Sequence, residues 1–173
     1  MIKRILPDIY AKSIFDINYD LLKMKKIKYI FIDVDNTISP AKQIMLSTKV
    51  KKLFNKLNKD FKIVLFSNNF KSKVSKIAEF YNTDYAYLSL KPLIFKYIYL
   101  LKKYKIKKNE VIAVGDQIVT DVIGAKKVGI KVALVDPLTE IDSKSTYLNR
   151  KLENIILKSF KKHKLFEKGK YYE

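Results

Sequence analysis

The chain has 173 residues, 48% of them hydrophobic, and sets 36 Lys+Arg against 17 Asp+Glu for a formal net charge of +19. It contains no cysteine, and its single histidine, His163, sits in a lysine-rich tail; a disulfide framework, a thiolate zinc site, a cysteine nucleophile and an ordinary Ser-His-Asp triad are excluded. Any metal must therefore be held mainly by oxygen, as a hard cation such as Mg²⁺ is.

Residues 1–28 form a flanking segment with a spaced apolar set: Ile5, Ile9, Ile14, Phe15, Ile17 and Leu21. No continuous apolar stretch follows Lys3 and Arg4, so no signal peptide is expected. No run anywhere approaches the roughly 20 residues that span a bilayer. Five short, β-branched runs then read as strands buried on both faces: 29–33, 62–67, 85–88, 111–115 and 131–135. Between them the apolar period turns helical. Val50, Leu53, Phe54 and Leu57 follow i, i+3, i+4, i+7 behind Ser47 as a cap, and Val74, Ile77, Ala78 and Tyr81 repeat the pattern after Ser72. Leu93, Tyr97, Leu100, Leu101 and Tyr104 form a third stripe, and a shorter helix runs from near Thr120 to Gly129. Strand alternating with helix predicts an α/β fold: a Rossmann-like, three-layer α/β/α domain around a mostly parallel five-stranded sheet.

At the end of the chain, Leu148, Leu152, Ile155, Ile156 and Phe160 form a helical stripe interleaved with Arg150, Lys151, Lys158, Lys161 and Lys162. An apolar face of this size is typical of packing on the chain's own domain; a basic amphipathic helix lying on an anionic membrane is the alternative. Residues 171–173 read as a frayed end. No repeat and no Gly/Ser/Pro-rich linker divides the chain, so 1–173 reads as one domain with two flanking segments, 1–28 and about 144–165.

The residues with chemistry sit where the strands end. The first strand runs into Asp33-Val34-Asp35-Asn36-Thr37, the second into Ser67-Asn68-Asn69, the third into Lys91-Pro92, and the fourth into Gly115-Asp116-Gln117 through Asp121. Ligands of open parallel sheets bind at the carboxyl ends of the strands. Each residue alone has a plainer reading as turn, cap or solvated charge; together they describe a site for a metal ion and a phosphate. A carboxylate at Asp33 can attack phosphorus and form an aspartyl-phosphate. Asp35 can lean the same way if the backbone stays extended, and act as general acid and then base. Asp33 and Asp116 can bind Mg²⁺. Ser67, with Asn68, Thr37 and nearby backbone N–H groups, can hydrogen-bond phosphoryl oxygens, and Lys91 can neutralise developing charge.

These four motifs resemble those of the haloacid dehalogenase (HAD) superfamily. The resemblance implies Asp33 as nucleophile, Asp35 as acid/base, Ser67 as phosphate ligand, Lys91 as stabiliser of the phospho-intermediate, and Asp116 as Mg²⁺ ligand supported by Asp121. It also implies a metal contact from the backbone carbonyl of Asp35. Pro7 through Leu22, Gly115-Asp116-Gln117 with Thr120-Asp121, and Asn149-Arg150-Lys151-Leu152-Glu153 resemble the YqeG family of subclass IIIA phosphatases. That family is similar to fungal mitochondrial and plastid phosphatidylglycerophosphate phosphatases. Only 34 positions separate Asp33 from Ser67, and 24 separate Ser67 from Lys91. No cap domain fits in either interval, and an open crevice suits a phosphate carried on something large.

The expectation is a Mg²⁺-dependent phosphomonoesterase, cytoplasmic with peripheral contact to an anionic membrane as an addition, acting on phosphatidylglycerophosphate. The first alternative is the same chemistry on a sugar, nucleotide or nucleic-acid-end phosphate. The second is a non-enzymatic basic module that binds nucleic acid or a ribonucleoprotein, because +19 draws polyanions. Almost all of that charge is lysine, with arginine only at Arg4 and Arg150; a composition rich in Lys, Ile, Asn and Tyr is what an AT-rich genome encodes. No specific nucleic-acid partner is therefore expected, and no pattern specifies an oligomer.

Overall fold

Alternate residues of each central strand go to opposite sides of the sheet, and this decides the architecture. In the computed structural model, which describes residues 2–139 and 147–173, strands and helices follow one another. They are β1 (Ile9–Ala11), α1 (Tyr19–Met24), β2 (Tyr29–Ile32), α2 (Thr48–Leu57), β3 (Lys62–Phe66), α3 (Lys71–Tyr81), β4 (Asp84–Ala86), α4 (Phe95–Lys103), β5 (Val111–Gly115), α5 (Ile123–Val128), β6 (Lys131–Val135) and α6 (Tyr147–Lys162). The sheet order is β1-β6-β5-β2-β3-β4, and every pairing is parallel. Ile30, Ile32, Ile63, Leu65, Ile112 and Val114 enter one core with Phe54 of α2 and Ile77 of α3. Phe31, Val64, Phe66, Val111 and Ala113 enter a second with Tyr97 of α4, Ala125 of α5 and Phe160 of α6. Helices cover both faces, as strands apolar on both sides require.

The sheet has six strands rather than the expected five. The extra one, β1, is three residues long, too short to show a period; pairing makes it a strand. Ile9, Tyr10 and Ala11 lie opposite Ala133, Leu134 and Val135 of β6. Asp8 pins the register, accepting from the Val132 N–H through its carboxylate at 2.7 Å while its own N–H donates to the Val132 carbonyl at 2.9 Å. Ile9, Ile14 and Ile17 are buried, so much of the N-terminal segment belongs to the core.

Residues 171–173 are not frayed. Tyr172 exchanges both main-chain hydrogen bonds with Tyr10 (2.8 and 2.9 Å), closing the outer edge of β1. The Tyr171 hydroxyl donates to Asp136 at 2.7 Å, and the Glu173 carboxylate accepts from the Asn18 N–H at 2.9 Å.

Two further boundaries differ. β4 ends at Ala86, before the expected Leu88, which turns away at φ +44°. The helix expected from Thr120 begins as a π-helical turn, Ile118–Val122, continues as α5, and stops at Gly129 with φ +83°. α6 packs Ile156, Leu157 and Phe160 against the second core and leaves Leu152 and Ile155 exposed. The start of the expected C-terminal segment, 144–146, lies outside the described residues, as does the Leu148 side chain. No helix among the described residues is long and apolar enough to cross a membrane. Between Asp33 and Ser67 the chain forms only α2 and β3, and between Ser67 and Lys91 only α3 and β4.

Candidate active site

β5, β2 and β3 are neighbours in the sheet, so the residues leaving their carboxyl ends meet. Asp33 follows β2 and continues the ladder by one bond, its N–H donating to the Val114 carbonyl at 2.8 Å. The Lys91 ammonium enters between two carboxylates, donating to Asp33 Oδ1 at 2.5 Å and to Asp121 Oδ1 at 2.6 Å. Its side chain is 3% exposed. Asp116 follows β5, and one oxygen from each of Asp33, Asp116 and Asp121 lies within 4.8 Å of the others. Asp121 is fixed by the turn that carries it: its Oδ2 accepts the Gln117 N–H at 3.1 Å. Gly115 makes room for it, since a Cβ there would stand 2.2 Å from Asp121 Cγ.

Burial and mutual repulsion shape the charges. Burial pushes the Asp33 carboxyl up to about 7 against the pull of Lys91. Burial, then Asp121 and Asp33, hold Asp116 well above the usual carboxylate range, although Arg150 lowers it. Burial presses the Lys91 ammonium toward neutrality, but Asp121 and Asp33 outweigh it and keep it charged. Asp116 Oδ1 is buried with no hydrogen-bond partner among the described residues. An orphaned oxygen within a cluster of three carboxylates belongs to a donor set of hard oxygens. It fits a divalent cation, which would take Asp33, Asp116 and Asp121.

The remaining expected residues stand outside this carboxylate cluster. The Asp35 carboxylate is not in the cluster: it accepts from the Asn69 side-chain amide and, at 2.6 Å, from Lys73 Nζ. The chain does not stay extended beyond it, because Asn36 takes φ +55° and its N–H returns to the Ser39 carbonyl at 2.7 Å. Asp35 is still close enough to Asp33 to raise its pKa. Ser67 Oγ accepts from the Asn69 N–H at 3.1 Å and from its side-chain amide at 3.3 Å, which leaves its proton to donate. Asn68, expected at the phosphate, braces the Lys91 backbone: its amide donates to the Lys91 carbonyl at 3.1 Å and accepts the Lys91 N–H at 2.8 Å. The Thr37 hydroxyl is buried without a partner among the described residues.

Four contributors carry no site role in the sequence reading. Arg150 of α6 donates to Asp116 Oδ2 at 2.7 Å and to Glu153 at 2.7 Å, while Glu153 accepts the Ile118 N–H at 2.9 Å. In the sequence Arg150 stands among the basic residues of the stripe, and with Glu153 in the stretch that carries the YqeG resemblance. The signal available was that an arginine is rare in this lysine-rich chain and stands three residues before a glutamate. Asn69, which holds Asp35, stands in the strand exit Ser67-Asn68-Asn69, whereas Lys73, its other partner, has no signal that separates it from other lysines.

A family model described as haloacid dehalogenase-like hydrolase matches residues 13–129. The chain is 29% identical over 161 residues to the probable phosphatase YqeG of Bacillus subtilis, covering 92% of this chain and 94% of that protein. In three dimensions it is similar to the 3-deoxy-D-manno-octulosonate 8-phosphate phosphatase from Yersinia pestis. That likeness has a TM-score of 0.52 at 16% identity, over 92% of this chain and 96% of the other. The cobalt-bound deoxy-D-mannose-octulosonate 8-phosphate phosphatase of Haemophilus influenzae gives 0.50 at 15% identity, over 84% and 95%. At such identities the two structures carry the fold.

Proposed function

The chain belongs to the haloacid dehalogenase-like hydrolase family, and from that premise we propose a Mg²⁺-dependent phosphomonoesterase of the YqeG type, in subclass IIIA, with phosphatidylglycerophosphate as its substrate. The family match favours an enzyme over the non-enzymatic nucleic-acid module. The observation that carries the chemistry is Lys91, buried and bonded at once to Asp33 and Asp121, while the neighbouring Asp116 keeps an oxygen without a hydrogen-bond partner among the described residues.

In this reading Asp33 attacks phosphorus with the carboxylate oxygen that Lys91 does not hold. A P–O bond forms to Asp33 and the P–O bond to the alcohol breaks. Asp35 gives the departing oxygen its proton, which requires it to leave the Lys73 ammonium. Lys91 stays charged against the phosphoryl oxygens, and the Ser67 proton and Thr37 hydroxyl reach the same anion. Water then attacks phosphorus, Asp35 takes its proton, and Asp33 is released as carboxylate with free phosphate. A bound divalent cation would supply positive charge that offsets repulsion between the carboxylates and the incoming phosphate.

The test is phosphate release from phosphatidylglycerophosphate in mixed micelles and from a panel of water-soluble phosphomonoesters, with Mg²⁺ or with EDTA. Asp33→Asn serves as the control. Mg²⁺-dependent release from the lipid, abolished in Asp33→Asn, is the expected result. Release from soluble esters alone reassigns the substrate; release from neither overturns the phosphatase reading.

A further inference from the structure

The mouth of this site breaks three local rules in the same place. Phe70 holds the N-cap of α3, a position that favours Ser, Thr, Asp or Asn; it makes no side-chain cap bond and is 72% exposed. Leu88 and Leu90, on the loop that delivers Lys91, take φ +44° and +53°, a region where leucine is rare. Both are exposed nonetheless, Leu90 at 58%. Phe95, opening α4, is 72% exposed. One edge gathers the first three: the Leu88 N–H donates to the Asn69 carbonyl at 2.9 Å, next to Phe70, and the Lys91 N–H bonds Asn68. Phe95 joins them through its neighbour Lys96, whose ammonium lies 5.5 Å from the ring centre of Tyr87, next to Leu88. Departures from local preference of this kind are expected where function requires them.

Around the apolar tips lies a ring of lysine and tyrosine. Lys71 follows Phe70 and is exposed. Lys96 follows Phe95 and sits over the Tyr87 and Tyr99 rings at 5.5 and 5.8 Å. Apolar tips bordered by tyrosine and lysine match the layering of a lipid interface, acyl region first and anionic headgroups next. A second copy of the chain fits less well, because it would bring Lys71 and Lys96 against their own like charges on a protein of net charge +19.

The geometry points to a membrane-docking rim. Phe70, Leu88, Leu90 and Phe95 insert into an anionic lipid surface, Lys71 and Lys96 meet its headgroups, and the mouth beside Asp33 and Lys91 faces a phosphate standing on that surface. This deepens the proposed function and rests on its lipid substrate, but the docking is measured without catalysis.

The chain has no tryptophan, so Phe95→Trp reports on the rim alone, and Met24→Trp, 79% exposed at the end of α1, reports on a distant surface. With vesicles of phosphatidylglycerol and phosphatidylcholine, Phe95→Trp emission should shift to the blue and be quenched by brominated acyl chains. Met24→Trp should not change, and phosphatidylcholine alone should give little binding. The triple variant Phe70→Ser, Leu90→Asn, Phe95→Ser should sediment with anionic vesicles at least about tenfold less than the unaltered chain. Its hydrolysis of p-nitrophenyl phosphate should be unchanged. Equal vesicle binding by the triple variant overturns the rim, as does an unshifted Phe95→Trp. Rim-dependent dimerisation in sedimentation equilibrium, or rim-dependent binding to an acidic protein without vesicle binding, also overturns it. Loss of p-nitrophenyl phosphate hydrolysis in the unaltered chain counts against the proposed function and leaves the vesicle result to stand by itself.

Discussion

Arg150 Nη2 stands 2.7 Å from Asp116 Oδ2, joining the C-terminal helix to the buried carboxylate cluster. The Asp116 side chain is fully buried at that contact, and its other oxygen has no partner among the described residues. Arg150 thereby holds the orientation of the Asp116 carboxylate. It is a positioning residue, itself held by Glu153.

Arg150→Met should weaken Mg²⁺ binding by about 10–100-fold, the usual cost of losing a partner that orients a metal ligand. Isothermal titration with Mg²⁺, and the rise in Tm that Mg²⁺ produces, measure this without turnover. Arg150→Lys should recover part of the affinity. Unchanged Mg²⁺ affinity in Arg150→Met would remove the helix from the site.

Lys91→Met should destabilise the metal-free protein by about 3–5 kcal/mol near neutral pH, because it leaves Asp33 and Asp121 buried without their shared cation. Urea denaturation measures the loss. Lys91→Met combined with Asp33→Asn should be less destabilised than Lys91→Met alone, since one of the stranded charges is gone. Simple additivity would show that the two side chains do not interact.

Metal-free stability should fall as pH rises from about 5 to about 7. Burial pushes the folded Asp33 carboxyl up to about 7, whereas an unfolded aspartate titrates near 3.9. Between those values the folded chain holds the extra proton, so raising the pH favours unfolding. Asp116, also raised by burial and by its acidic neighbours, acts in the same direction. Guanidinium midpoints in EDTA at pH 5, 6, 7 and 8 should show the decline, and Asp33→Asn should flatten it. A midpoint that climbs through this window contradicts the assignment.

Gly115→Ala should cost about 1–3 kcal/mol and displace Asp121, because the new methyl would stand only 2.2 Å from the Asp121 carboxylate carbon. Thermal unfolding gives the stability loss. Mg²⁺ titration should show weaker binding, while Gly169→Ala, with nothing within 4 Å of the added Cβ, should leave Mg²⁺ affinity untouched.

Much of this molecule is written locally. The runs around Phe31, Val64 and Ala113 are apolar on consecutive residues, which only a strand covered on both faces tolerates. The intervening 3.6-residue period places a helix after each. Given parallel strands, Asp33, Ser67, Lys91 and Asp116 had to emerge on one edge, so the groups gathered there could be named before any coordinates. β1 could not: three residues carry no period, and Ile9–Ala11 becomes a strand only against β6. The same holds for Tyr172, paired with Tyr10 from the far end of the chain.

The sequence by itself determined the layered fold and the list of groups at the strand exits, because hydrophobic period and strand order act between near neighbours and leave their mark in the chain. Only the tertiary structure decided which partner each group takes: Lys91 with Asp33 and Asp121, Lys73 with Asp35, Arg150 with Asp116. Ion pairs of this kind form where elements far apart in sequence pack together and exclude water. A lysine or arginine that is buried beside a carboxylate looks, along the chain, like any other.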